Sequence, residues 1–125
     1  MAAPLVLAQP TPGEDPGAVG PALTAVFATV KEALAAERPV VIVLDDRDLL
    51  GQGSVVDATI ATGLLGLSRA LALEGAKPGW SVNVVTHRGE ADAAPVREAI
   101  EWLGGSGLSG QFLRVGTEQL GKVWP

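Results

Sequence analysis

The chain alternates short, uninterrupted apolar runs with longer stretches in which apolar residues recur every third or fourth position. The runs PLVLA at 4–8 and VVIVL at 40–44 have the continuous, β-branched character of strands covered on both faces of a parallel sheet. QPTPGEDPG follows the first run, and its Pro and Gly content predicts a loop over 9–20. From about 21 to 37, Leu23, Val26, Phe27, Val30 and Leu34 return at spacings of three and four, with Lys31 and Glu32 facing outward. This predicts an amphipathic helix. DDRDLLGQGS reads as a loop, 55–74 as a helix, 77–79 as a turn, 81–85 as a strand, 95–103 as a helix and 111–115 as a last strand after a glycine-rich turn. The alternation predicts an α/β, half-Rossmann three-layer sandwich with about four mainly parallel strands, helices on both faces and right-handed crossovers.

Composition narrows the function classes. A chain of 125 residues, 47% apolar, has room for a single domain, 1–125, with a real core. A net charge of −5 supplies no basic surface for nucleic acid or for an anionic membrane. With no cysteine and a single histidine, His87, disulfides, thiolate metal sites and multi-histidine metal sites are excluded, and a cytoplasmic setting is expected. The first residues lack the basic start and apolar core of a secretory signal. No run of ~20 apolar residues is read as a membrane span.

The helix at 59–74, TIATGLLGLSRALALE, is apolar nearly all round, with Arg69 as its one charge before Glu74. Ile60, Leu64, Leu67 and Leu71 form one stripe; Ala61, Leu65, Ser68 and Ala72 form another. Such a helix needs cover beyond a sheet, from within the chain or from a partner. The expectation is a partner interface built on Ile60, Leu64, Leu67 and Leu71 with Val26 and Val30, where Gly63 and Gly66 admit a second helix closely.

The stretch DATIATGLLGLSRALALEGAKPGWSVNVV resembles the short-chain dehydrogenase/reductase family. There a Y-x-x-x-K motif begins a helix reading A-L-x-G-L-(S/T)-R-x-L-A-x-E, and a strand containing V-N follows. The corresponding residues here are Leu64, Leu65, Gly66, Leu67, Ser68, Arg69, Leu71, Ala72 and Glu74, then Val82 and Asn83. PLVLA resembles the family's fourth strand, VVIVL its fifth, and SGLSGQFLRVG its S-x-x-x-G-Q-x-L-x-V final strand. The resemblance therefore implies a truncated second half of that fold, without the earlier strands whose glycine-rich turn holds the dinucleotide. Gly105, Gly107 and Gly110 spell G-x-G-x-x-G, but after a helix and before a strand, the reverse of the dinucleotide-binding context. Gly51 and Gly53 lie between a strand and a helix but lack a third glycine. No cofactor is expected.

The family's chemistry needs a tyrosine to transfer the proton, a lysine one turn later to lower its pKa, and a serine for the substrate carbonyl. The resemblance places Asp57 at the tyrosine position and Ala61 at the lysine position, and no tyrosine occurs anywhere in the sequence. Asp45 and Asp46 stand at the strand-end serine positions, and Thr86, His87, Arg88 and Gly89 where the family's proline-glycine pair follows the V-N strand. The implied protein is a non-catalytic subunit that associates with a full-length ketoacyl-type reductase or with itself. In the family, helices like 59–74 and 21–37 pair across subunits as a four-helix bundle, with a second contact at the final strand. Loss of the strand beside PLVLA would also leave a sheet edge needing cover.

A different class of function is also open. Asp45, Asp46, Asp48, Asp57, His87 and Arg88 fall at or after predicted strand C-termini, where open α/β sheets bind ligands. Asp45, Asp46 and His87 would then form an acid/base or ligand-binding site; otherwise 45–48 is a solvated turn and Asp57 supports a helix N-terminus. Trp102 is expected beside its own helix, while Trp80 and Trp124 mark either interfaces or local cover.

Overall fold

The computed structural model describes residues 3–116. Strands β1 (Leu5–Ala8), β2 (Val40–Asp45), β3 (Val82–His87) and β4 (Phe112–Val115) form one sheet in the order β1-β2-β3-β4, every pair parallel. Helix α1 (Val19–Ala35) connects β1 to β2, a single turn α2 (Asp46–Leu49) and the long α3 (Val55–Glu74) connect β2 to β3, and α4 (Ala94–Ser106) connects β3 to β4. The predicted α/β sandwich is therefore the observed fold.

Alternation along the central strands builds two cores. Val40, Ile42 and Leu44 of β2 and Val82 and Val84 of β3 pack against α1 and α3, whereas Val41 and Val85 pack against Val96 and Leu103 of α4. Ile42, Leu44, Ile60 and Leu64 are fully buried, each contributing roughly 1.5–3 kcal/mol by leaving water. Because the strands step across the sheet in sequence order, a helix's face determines the hand of its crossover. The α1 and α3 crossovers share a hand, right-handed by the strong general preference, and the α4 crossover has the opposite one. The expectation that all crossovers are right-handed is corrected here.

Local chemistry fixes the element ends. A 3₁₀ turn at Pro16–Ala18, capped by Asp15 accepting from Gly17 N, precedes α1, so regular structure starts inside the stretch read as a loop. Ser54 caps α3 by accepting from Asp57 N at 3.0 Å. Helix α4 continues three residues past the predicted end, and Gly104 in this added turn lies against Pro4, where an added Cβ would come within 2.8 Å of Pro4 Cγ. It stops at Gly107, which takes the left-handed conformation at φ 74°. Thus Gly105 belongs to the last helical turn, Gly107 caps it and Gly110 precedes β4, which is the helix-to-strand context read from the sequence.

Two helical stretches, Pro16–Ala35 and Val55–Glu74, are long and apolar enough to cross a membrane by length and composition, which corrects the expectation of none. Alanine, leucine and valine raise their hydropathy. In the fold both lie on the sheet and supply Val26, Val30, Ile60 and Leu64 to its core.

Candidate functional site

The connection after β2 leaves toward the α3 side of the sheet and the connection after β3 toward the α4 side. The C-terminal ends of these neighbouring strands therefore part, as at the ligand-binding crevices of open α/β sheets. Asp45 and His87 face each other in register at this point. Strand β3 runs two residues beyond its predicted end, since pairing with Asp45 on one side and Val115 on the other keeps Thr86 and His87 extended.

The carboxylates of 45–48 are tied up individually. Asp45 caps α2 by accepting from Arg47 N at 2.8 Å, and accepts from Arg47 Nε at 3.2 Å and Nη2 at 3.0 Å. Burial pushes its carboxyl up, but these hydrogen bonds and the charges of Arg47 and His87 outweigh it, holding the group below the usual carboxylate value. Asp46 is fully buried and accepts from Arg114 Nε at 2.9 Å, an ion pair joining α2 to the edge strand β4. Gln9, just past β1, donates to Asp48 Oδ2 at 2.8 Å and accepts from Asp45 N at 3.2 Å. Burial and the charges of Asp45 and Asp57 raise the Asp48 carboxyl above its ordinary value despite the Gln9 hydrogen bond. Gly53 lies close beside it: an added Cβ would stand 2.5 Å from Asp48 Oδ1, so a larger residue there would make the carboxylate shift.

The segment 45–48 is thus a helical turn anchored by a buried ion pair, not a solvated turn. Asp57 lies in the first turn of α3 behind the Ser54 cap, with Oδ1 buried and unbonded, and Ala61 is fully buried one turn on. Asp45, Asp46 and His87 converge on one end of the sheet but do not form one coordination set. By strand alternation His87 lies on the α4 side with Val85, whereas Arg114, which holds Asp46, lies on the other side with Phe112. Among the described residues no group of three or more histidines and carboxylates is placed to hold a metal ion. Thr86 Oγ1, Asp46 Oδ1 and His87 Nδ1 are buried here without hydrogen-bond partners. Arg114 and Gln9 had no local signal in the sequence; their roles depend on partners 68 and 39 residues away.

The proposed interface set changes. Ile60, Leu64, Leu71, Val26 and Val30 are buried in the chain's own core, and Leu67 packs partly against it. The sheet satisfies the stripe assigned to a partner, because helical periodicity does not say which neighbour covers a face. Gly63 has the same explanation: an added Cβ would lie 3.2 Å from Leu23 Cδ1, so it admits α1 rather than a second chain. Gly66, in contrast, faces open space. Apolar surface remains exposed elsewhere on this layer, at Phe27 (49%), Val55 (82%) and Leu73 (80%). A cleft of about 400 Å³ opens between the C-terminal halves of α1 and α3, walled by Phe27, Val30, Leu34, Leu71 and Trp80, with Lys31 and Glu74 also lining it. Trp80 is partly buried local cover, seated against Gly75, where an added Cβ would come within 2.7 Å of Trp80 Cβ. Trp102 is 60% exposed, and Trp124 lies outside the described residues.

Asn83, fully enclosed after Val82, donates from Nδ2 to Leu108 O at 2.9 Å and accepts from Gln111 N at 2.9 Å. It fastens the segment leading into β4 to the sheet. No protein-family model matches the chain, and no curated protein is significantly similar to it.

Proposed function

We propose that this chain is a non-catalytic, short-chain-dehydrogenase-like subunit that works in the cytoplasm by associating with another polypeptide: a full-length ketoacyl-type reductase, or a second copy of itself. The observation that carries the association is the unfilled apolar surface of the α1–α3 layer. Phe27 and Leu73 stand in water on a face that also holds an open cleft lined by Trp80, Leu71 and Leu34. Leaving that much apolar area exposed is unfavourable unless another surface covers it. Charges are sparse on the outward face of α3, where Thr59, Thr62, Gly66 and Ala70 are exposed with Arg69, so a close approach there strands few ions.

The non-catalytic part rests on composition and on the strand ends. No tyrosine is present in the 125 residues, and Asp57 and Ala61 occupy the positions that the resemblance gives to the proton donor and its lysine. Asp45 and Asp46 are each held by an arginine. As ionised acceptors they do not donate to a substrate carbonyl as a serine does. Purified protein is expected to leave NADH and NADPH unchanged with a β-ketoacyl substrate. Mixed with a full-length reductase of the ketoacyl class, it is expected to elute as a larger species. Steady cofactor turnover by the isolated chain would refute the reading.

A further inference from the structure

The α1–α3 layer carries its exposed charges in balance. Lys31 and Glu32 on α1 and Arg69 and Glu74 on α3 are exposed, two of each sign, on a chain whose net charge is −5. The acidic excess therefore lies outside this exposed face, and like-charged copies repel least when they meet through it. Lys31 stands on the α1 wall of the apolar cleft and Glu74 on its α3 wall. Among the described residues neither side chain has an ion pair or a hydrogen bond, so each is open to a charged group from outside. Helix α1 is 17 residues long and α3 is 20. Side by side they offer a flat footprint of about 500 Å² per copy, at ~1.5 Å per residue and ~10 Å per helix. With side-chain relief this approaches the ~800 Å² per partner of a specific complex.

Resting on association through this layer, we propose that its occupant is a second copy of the chain, in a two-fold dimer that sets Lys31 against the partner's Glu74. Both helices lie on one face of the sheet and connect parallel strands, so they run parallel to each other. Two-fold packing of such a face has two forms. With the axis across the helices, α1 meets the partner's α1, and opposed clefts bring Lys31 to the partner's Lys31 and Glu74 to the partner's Glu74. With the axis along the helices, α1 lies over the partner's α3, and opposed clefts bring Lys31 to the partner's Glu74 on both sides of the axis. The first form is repulsive at both contacts and the second attractive at both. In the second, the exposed Phe27 of each copy also closes over the partner's cleft, removing apolar surface from water. A second copy supplies the matching charges by symmetry; an unrelated partner would have to carry them independently.

Sedimentation equilibrium at low salt measures the dimer constant for the native chain, for Lys31→Glu, for Glu74→Lys and for an equimolar mixture of the two variants. Each single change places like charges at both contacts and is expected to weaken dimerisation about tenfold. The mixed dimer has one native contact and one with the charges exchanged, so the mixture should associate as tightly as the native chain. A variant that had merely lost its fold would not be rescued in this way. High salt should narrow all of these differences. A native chain that stays monomeric overturns the second copy as occupant; a complex of that monomer with a full-length reductase would leave the association reading standing. Single variants that dimerise like the native chain, or a mixture no tighter than they are, overturn the crossed pairing, while loss of the dimer in Phe27→Glu would still uphold the layer as the contact. A mixture tighter than the native chain indicates the form with like charges opposed and overturns the proposal as well.

Discussion

Arg114 Nε lies 2.9 Å from Asp46 Oδ2, joining the edge strand β4 to the turn that follows β2. The carboxylate is fully enclosed, and the arginine side chain is 19% exposed. Two costs oppose each other at such a pair: both ions lose water, but removing one partner strands the other. Arg114→Met is therefore expected to destabilise the fold by about 3 kcal/mol, whereas the double variant Asp46→Leu/Arg114→Met should recover most of that loss. Urea unfolding of the four proteins in a double-mutant cycle measures the coupling. Additive effects would show that the contact contributes nothing.

The two glycines of α3 should respond differently. Both cost helix stability relative to alanine, by about 1 kcal/mol. Gly66 faces open space, so Gly66→Ala should gain about that amount. At Gly63 the new Cβ would meet Leu23 Cδ1 at 3.2 Å, so Gly63→Ala should gain less, and Gly63→Leu should force α1 away and destabilise. Thermal midpoints of the three variants check this, and equal gains from both alanines would contradict the close α1–α3 approach.

The acid limb of stability follows from Asp45 and Asp48, which act in opposite directions. The folded-state value of Asp45 lies below 3.8, so its contribution is complete above that pH and is lost as pH falls through the depressed value. Arg47→Met should remove about 0.5–1 kcal/mol at pH 7 and almost nothing at pH 2, the modest size reflecting a half-exposed arginine. The folded-state value of Asp48 lies above 3.8, so its ionisation costs stability at neutral pH and the cost disappears as pH falls through the raised value. Asp48→Asn keeps an oxygen for Gln9 and should stabilise by about half a kcal/mol at pH 7, with no gain below pH ~3. Chemical unfolding across this pH range tests both signs.

Much of the architecture could be read from local pattern. VVIVL is covered on both faces, and α3 spans the predicted residues, because its cap Ser54 and its apolar content agree. What escaped was set by distant partners. The α2 turn forms where a charged segment reads as a loop, held by Arg114 from the far end of the chain. His87 joins β3 through its neighbours on two other strands. The interface residues were misplaced for a related reason. Ile60, Leu64 and Val30 have the spacing of a buried face, but spacing does not distinguish the chain's own sheet from a second molecule. The exposed Phe27 belongs to the same predicted helix as the buried Val26 and Val30, and only the packed layer separates them.

Association through the α1–α3 face is tested most directly by sedimentation velocity on the chain alone and mixed with a full-length ketoacyl-type reductase, comparing the native sequence with Phe27→Glu/Leu73→Glu. Both changes lie on exposed positions and should leave the fold intact. The native chain is expected to sediment as a dimer or within the reductase complex, and the double variant as a free monomer in both samples. A native chain that remains monomeric alone and in the mixture, or a double variant that assembles as well as the native chain, would contradict the account.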